Sequence, residues 1–196
     1  MQNSATLIDT VFAGKGSRSL LRDAAIALAA TGLLTLSAKV QVPFYPVPMT
    51  MQSLVVLVIG AAFGWRLGMA TVMLYMLEGL AGLPVFAGTP EKGVGLAYMM
   101  GPTGGYLIGF VAAAFVTGFL AERGWTKSVL GSLAAMAIGH AVIFLFGFAW
   151  LAVLMGAGKA YFFGVAPFYA ATLFKTLLGA ALLPAAWRAV EYLRRA

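Results

Sequence analysis

The sequence predicts an all-α integral membrane protein, a bundle of six transmembrane helices in which external loops 1 and 3 are structured. Of its 196 residues, 62% are hydrophobic and only 10% are charged, and the mean hydropathy is +0.94. A soluble domain usually carries about 45–50% apolar and about 25% charged residues. Lipid must therefore be the solvent for most of this surface. The apolar residues also fall into six stretches, separated by Pro/Gly clusters or by charges.

The six stretches define the expected helices. A spanning helix needs about 20 mainly apolar residues, and the candidates are residues 20–38, 50–64, 67–80, 103–121, 127–155 and 163–193. The second and third are short and meet at Gly64-Trp65-Arg66, which predicts a tight turn. The last two are long enough to tilt. We expect residues 1–19 to form a loose cytoplasmic tail and residues 20–196 a single six-helix domain.

The positive charge follows the topology. With the N-terminus in the cytoplasm, nine of the thirteen basic residues lie inside and three outside, a clear positive-inside bias. The inner nine are Lys15, Arg18, Arg22, Arg66, Arg123, Lys127, Arg188, Arg194 and Arg195. The outer three are Lys39, Lys92 and Lys159. The net charge of +7 therefore sets orientation and gives no support to nucleic-acid binding.

Two connections on the outer side separate the apolar stretches. Residues 39–49 hold three prolines within six residues, which disfavour helix and strand and favour extended polyproline II. Residues 79–102 are too apolar for a simple solvated loop, and irregular backbone at membrane depth is tolerated where it packs on protein or lines a cavity. These two connections, loop 1 (residues 39–49) and loop 3 (residues 79–102), are either ordinary external loops or lids over an outward-facing pocket, and the sequence favours lids.

Lys175 is the most informative residue. It lies about 12 residues, or about 18 Å, along the sixth predicted helix, where an amine costs at least about 2.5–3.5 kcal/mol and normally faces the bundle interior. No Asp or Glu lies deep in a predicted helix, and Glu78, at the outer end of the third, is the nearest by depth. The favoured interpretation is an anionic ligand as the missing partner. The alternative is a lysine satisfied by backbone carbonyls, Glu78 and water.

Other polar and aromatic groups lie near the same end. The hexapeptide GPTGGY, residues 101–106, opens the fourth helix with amides that favour an anion or a carbonyl oxygen, or it serves only as a helix start with small residues for packing. Thr50 and Gln52 follow the proline run, and Tyr45, Phe86 and Tyr106 offer apolar walls with or without polar tips. Ala25 and Ala29 form a flat strip on the first helix, suited to docking another membrane protein or to packing within the bundle.

Several enzyme classes are excluded. Residues 156–160, GAGKA, lack the spacing and the hydroxyl of a phosphate-binding loop. His140 is the single histidine and Ser132 lies eight residues away on the same helix, so a Ser–His pair from facing elements is missing. Without cysteine and with one histidine, the chain has neither disulfides nor a His/Cys metal cluster. We interpret His140 as an internal hydrogen-bonding residue.

Three blocks resemble one known family. Residues 42–52, VPFYPVPMTMQ, look like the P-x-x-PVP-[IM]-T-x-Q stretch of the BioY family, the biotin-specific S components of energy-coupling factor (ECF) transporters. GLAGLPVFAG at 79–88 and GPTGGY at 101–106 match two further blocks in the expected order. Pro167-Phe168 with Lys175 resembles the family's PF-x-x-GD-x-x-K segment, except that Thr172 replaces the acidic residue.

The resemblance implies a six-helix substrate-binding domain that captures biotin from outside, with loops 1 and 3 closing the site and Lys175 belonging to it. It also implies a plasma-membrane location with cytoplasmic termini, a membrane-embedded T subunit, docked through Ala25 and Ala29, and two ATPase subunits. No cofactor is implied. The substrate site is expected to be formed by Lys175, Thr172, Thr50, Gln52, Tyr45, Glu78, Phe86, Gly88, Thr89, Thr103 and Tyr106.

Two rival functions stay open from the residues alone. A self-sufficient carrier for another small vitamin would commonly show internal repeats and ion ligands inside the membrane, and neither is evident. A membrane enzyme acting on a hydrophobic substrate needs two or more converging titratable groups, and only Lys175 lies deep in a predicted helix.

Overall fold

The computed structural model describes residues 6–12, 19–43 and 45–195. Lys15, Arg18 and Phe44 lie outside the described residues. Within them the fold is helical: α1 (Leu7–Val11), α2 (Leu20–Lys39), α3 (Gln52–Leu80), α4 (Gly95–Met99), α5 (Gly104–Ala121), α6 (Val129–Met155), α7 (Ala157–Gly164) and α8 (Tyr169–Arg195). The strands β1 (Gln41–Val42) and β2 (Met49–Thr50) form one antiparallel pair. The all-α membrane bundle expected from the sequence is confirmed.

Helix α3 is a helical hairpin. Gly64 adopts φ 81° and ψ 172°, a conformation that interrupts the helix. Gln52 and Tyr75 would lie about 34 Å apart on a straight helix, yet Gln52 Nε2 donates a hydrogen bond to the Tyr75 hydroxyl over 2.6 Å. Residues 52–63 and 65–80 therefore run antiparallel as two helices. The predicted turn at Gly64 is confirmed. In the described residues, five helical stretches are long and apolar enough to span a membrane. The α3 stretch is one of them, and it supplies two of the six expected helices.

Glycines allow the central helices to approach closely. A Cβ atom on Gly68 would lie 2.8 Å from the Cα of Gly60, across the α3 hairpin. On α5, Gly105 and Gly109 face the α6 residues Trp150 and Ile143 in the same way. These close approaches join α3, α5 and α6 into the core of the bundle.

The proline-rich loop is bounded by strands. Gln41 pairs with Thr50, and Val42 with Met49. The prolines lie between these two pairs, so the expectation that residues 39–49 disfavour strand was wrong at residues 41–42 and 49. The physical reason is that the flanking residues keep their backbone N–H groups, which the prolines lack.

The sixth membrane helix begins later than expected. The sequence predicted a helix over residues 163–193, but α7 ends at Gly164, a 3₁₀ turn covers Ala166–Phe168, and α8 begins at Tyr169. Pro167 explains the interruption, since it lacks an N–H group and disfavours helical backbone at the residue before it. Lys175 consequently lies only about 9 Å from the start of its helix.

Part of the predicted tail is helical. Thr6 and Asp9 form a reciprocal capping box at the start of α1, in which the Asp9 backbone N–H donates to Thr6 Oγ1 over 3.2 Å. Leu7 and Thr10 are buried, and α1 contacts α3 and α8.

Candidate functional site

A cavity opens at the end of the bundle where the α3 hairpin, α5 and α8 begin. Its free space, the open mouth included, is about 520 Å³. Loop 1, loop 3, the starts of α3, α5 and α8, and the middle of α6 supply its walls. The lining residues are Val47, Pro48, Thr50, Gln52, Ser53, Ala87, Thr103, Tyr106, Phe110, His140, Ile143, Phe144, Phe168, Thr172 and Lys175.

Lys175 supplies the cation of this cavity. Its side chain is buried, and Nζ donates to the Thr50 carbonyl oxygen over 2.6 Å and to Ser53 Oγ over 3.1 Å. An ammonium group has three N–H donors, so these two acceptors leave one donor. In the described part of the chain no carboxylate lies within ion-pairing distance of Nζ. A buried cation with neutral partners favours an anion as its third partner.

Five other predicted site residues line the same cavity: Thr50, Gln52, Thr103, Tyr106 and Thr172. Tyr106 contributes its ring, since its hydroxyl donates to the Gly164 carbonyl over 2.6 Å. Thr172 offers a hydroxyl to the cavity.

A hydrogen-bonded chain connects the cavity to loop 3. Thr50 Oγ1 donates to Gln52 Oε1 over 3.4 Å, and Gln52 Nε2 donates to the Tyr75 hydroxyl. Tyr75 in turn donates to the Val85 carbonyl over 2.8 Å. Because Lys175 bonds the Thr50 carbonyl, the cation and the loop are joined through consecutive groups.

The remaining predicted residues lie outside the cavity lining. Tyr45 is 87% exposed. Glu78, expected nearest to Lys175 by depth, instead accepts a hydrogen bond from Thr31 Oγ1 of α2 over 2.8 Å. Phe86, Gly88 and Thr89 belong to loop 3 behind the lining residue Ala87. The α2–α3 contact explains the position of Glu78, because it lies on the face of the hairpin that packs against α2.

Loop 3 is held by side chains from three helices. Lys39 Nζ of α2 donates to the carbonyls of Pro84, Phe86 and Thr89 over 2.9–3.1 Å. The Phe86 ring stacks on Tyr98 at 5.0 Å and meets Tyr75 edge-on at 5.4 Å. The loop is therefore a packed wall of the site.

Tyr98 of α4 completes that wall. Its hydroxyl donates to the Ala87 carbonyl over 2.8 Å, and burial raises the pKa of Tyr98 above its ordinary value. The hydroxyl therefore stays protonated and keeps its donor role.

Comparison with known proteins assigns this arrangement to a family. Residues 4–192 match the model of the BioY family. The chain belongs to the BioY family. It is 40% identical over 136 residues to a probable biotin transporter BioY of Pyrococcus horikoshii, covering 69% of this chain and 78% of that protein. It is 38% identical over 164 residues to the biotin transporter BioY of Rhizobium etli, covering 79% and 84%.

A solved structure shares the BioY fold. The crystal structure, at 2.1 Å, of the S-component for biotin from an ECF-type ABC transporter aligns with a TM-score of 0.71 at 21% identity, covering 88% of this chain and 95% of that one. The alignment shows that the two chains share a fold. Family membership makes this BioY chain a multi-pass membrane transport protein and not an enzyme.

Sequence reasoning missed nine residues that line the BioY cavity: Val47, Pro48, Ser53, Ala87, Phe110, His140, Ile143, Phe144 and Phe168. Five of them lie within or beside the blocks of the family resemblance, so position relative to Thr50, Phe86 and Lys175 was the available signal. Phe110, Ile143 and Phe144 are apolar residues in apolar helices, whose facing direction the composition leaves open. His140 was assigned to internal hydrogen bonding, and it does bond the Met136 carbonyl over 3.0 Å.

The expected docking strip lies on the bundle surface. Ala25 and Ala29 are exposed on α2, whereas Ala27 and Ala30 are buried. A Cβ atom added to Gly32, one turn beyond Ala29, would meet nothing within 4 Å. In the described residues this strip is therefore exposed on the surface of the bundle.

Metal ligands are not clustered. Within the described residues, no three His, Cys, Asp or Glu side chains lie close enough to hold a metal ion.

Proposed function

We propose that this BioY chain binds biotin in the Lys175 cavity and is the S component of an ECF-type biotin uptake system. The observation that carries the proposal is the buried Lys175 ammonium, which has neutral protein partners and one free donor in an open, mostly apolar cavity. The related protein of Pyrococcus horikoshii is a probable biotin transporter, and that of Rhizobium etli is a biotin transporter.

Biotin suits the chemistry of this cavity. It is largely apolar, with one carboxylate at the end of a flexible chain and one ureido group on a compact ring system. Phe110, Ile143 and Phe144 offer apolar and aromatic wall, as small-molecule sites usually do. The carboxylate supplies the negatively charged partner that Lys175 lacks among its protein contacts. We assign the carboxylate to the free Lys175 donor, with the Thr172 hydroxyl as a second contact.

The proposed orientation places the cavity on the outer face of the plasma membrane and both termini in the cytoplasm. Arg66 follows the hairpin turn at Gly64, and Arg123 follows the end of α5, both at the end opposite the cavity. Lys127 lies there too, with Nζ 4.9 Å from the Trp187 ring. This distribution of cations supports the positive-inside orientation.

The proposed partners are a membrane-embedded T subunit and two ATPase subunits. The exposed strip of Ala25, Ala29 and Gly32 on α2 allows another helix to approach closely, and we assign it to the T subunit. ATP hydrolysis then takes place in the partners, since the sequence contains no phosphate-binding loop of the GxxxxGK[ST] type.

A direct binding experiment tests the proposal. Purified protein in detergent is titrated with biotin by calorimetry, with biotinamide as a neutral analogue of the same shape. The proposal expects saturable binding of one biotin and weaker binding of the amide. Absence of biotin binding by folded protein would reject it.

A further inference from the structure

We propose that His140 accepts a hydrogen bond from a ureido N–H group of biotin through Nε2, and so sets the specificity of the cavity for the ureido end of the ligand. This inference rests on the proposed function. It is carried by a buried nitrogen of a cavity-lining side chain that has no hydrogen-bond partner among the described residues.

The imidazole of His140 is held along one edge. Its side chain is 3% exposed, and Nδ1 lies 3.0 Å from the Met136 carbonyl oxygen, one turn earlier on α6. Thr176 Oγ1 of α8 lies 3.0 Å from the same Nδ1. Contacts from two helices therefore fix the ring.

These contacts favour one tautomer. A carbonyl oxygen only accepts, so the 3.0 Å contact with Met136 is a hydrogen bond only when Nδ1 carries the hydrogen, and the Thr176 hydroxyl, which both donates and accepts, is compatible with that tautomer as an acceptor. In a neutral imidazole the other nitrogen, Nε2, is then an acceptor. A charged imidazolium would place a second cation in the cavity that already holds Lys175, which the apolar surroundings disfavour.

The free acceptor defines the group that complements it. A buried acceptor without a donor loses the hydrogen bond that it had with water, so a ligand that supplies an N–H group is favoured over one that does not. Biotin carries two such donors, both on the ureido ring. Its carboxylate, ionised at neutral pH, supplies none, which leaves that end to Lys175.

Because His140 is the only histidine, it can be observed by itself in the unmodified chain. We suggest labelling an untagged protein with ¹⁵N-histidine and recording the imidazole nitrogens with and without biotin. Before biotin, Nε2 should resonate as an unprotonated nitrogen and Nδ1 as a protonated one. On saturation, the Nε2 signal should move in the direction of hydrogen-bond acceptance while Nδ1 changes little.

The control ligand is biotin methylated at one ureido nitrogen, with both mono-methyl isomers tested. The isomer that removes the relevant donor should bind at least about tenfold more weakly, or about 1.4 kcal/mol, and should leave Nε2 unshifted. His140→Leu should bind biotin more weakly by a similar factor, and it should no longer discriminate between the isomers. His140→Gln keeps an acceptor near the Nε2 position and should retain more affinity than His140→Leu.

The outcomes separate this inference from the proposed function. His140 also borders a groove between α6 and α8, and an Nε2 atom bonded there would give a signal insensitive to biotin. Normal biotin binding with an unchanged Nε2 signal, or with a protonated Nε2, would overturn the role of His140 alone. A folded protein that binds no biotin would overturn the proposed function instead.

Discussion

Gln52 and Tyr75, 23 positions apart in one stretch of helix, are joined by a hydrogen bond of 2.6 Å. The contact closes the α3 hairpin at its open end, and the Tyr75 hydroxyl continues it by donating to the Val85 carbonyl of loop 3. Gln52 lines the cavity, whereas Tyr75 lies behind it. One buried hydroxyl therefore connects the start of the hairpin, its end and the loop that walls the site.

The first prediction concerns this hydroxyl. Tyr75→Phe leaves the Gln52 amide without its acceptor and the Val85 carbonyl without its donor. We expect a loss of about 2 kcal/mol, since buried unsatisfied groups cost about 1–3 kcal/mol. The melting temperature should fall by about 4–8 °C in a chain of this size. Tyr161→Phe, which removes an exposed hydroxyl on α7, is the control and should have little effect; equal shifts would contradict the argument.

The second prediction concerns the attachment of loop 3. Lys39→Met removes the donor for three loop carbonyls, so the wall around Phe86 should loosen. We expect biotin to dissociate about tenfold faster, the equivalent of about one charge-assisted hydrogen bond. Release of radiolabelled biotin into excess unlabelled biotin measures the rate. Lys92→Met, on the exposed part of the same loop, should leave the rate unchanged. If biotin dissociated from Lys39→Met at the unmodified rate, Lys39 would contribute only to folding, and the prediction would be contradicted.

The third prediction concerns the crossing of the α3 hairpin. Gly68→Ala places a methyl group 2.8 Å from the Gly60 Cα atom, so the two helices must separate. Overpacking of this kind typically costs about 1–3 kcal/mol. Gly32→Ala makes the same change in open space on α2, and should be neutral or stabilising by up to about 1 kcal/mol. Thermal unfolding of both variants in detergent tests the contrast, which would fail if Gly68→Ala were as stable as Gly32→Ala.

The fourth prediction concerns the proposed docking strip. Ala29→Leu adds a large side chain to the exposed face of α2 and should prevent close approach of the T subunit. In cells that express the whole transporter, we expect weaker copurification of the ATPase subunits and reduced biotin uptake. Biotin binding by the isolated chain should be unchanged. Ala181→Leu makes the same change at an exposed position of α8. The assignment would be contradicted if both variants lost copurification and uptake to a similar extent, or if neither variant lost them.

Local patterns predicted most of the fold. The lengths of the apolar stretches predicted the helices. The break at Gly64 was predicted because two short apolar stretches meet at this glycine. The start of the last helix was placed at residue 163 instead of Tyr169 because residues 163–168, FGVAPF, are mostly apolar, so composition alone did not separate them from α8. Only the backbone effect of Pro167 marks that boundary.

The site was less predictable because it depends on which way side chains face. Lys175 and Thr50 were identified from the cost of a buried charge and from the family resemblance. Glu78 was placed by depth along the helix, and its bond to Thr31 depends on how the hairpin rotates against α2. The position of the free His140 Nε2 atom depends on how the ring is oriented. That orientation depends in part on the contact between Nδ1 and Thr176, 36 residues away.

Titration of biotin and biotinamide into the unmodified chain and Lys175→Met tests the central claim most directly. Loss of a charged hydrogen-bonding partner costs about 1.5–3 kcal/mol, so Lys175→Met should bind biotin about 10–150-fold more weakly. The unmodified chain should discriminate against the amide by a similar factor, and the variant should bind both ligands about equally. Lys159→Met, exposed on α7, should bind biotin as the unmodified chain does. A folded Lys175→Met protein with unmodified affinity for biotin would contradict the account.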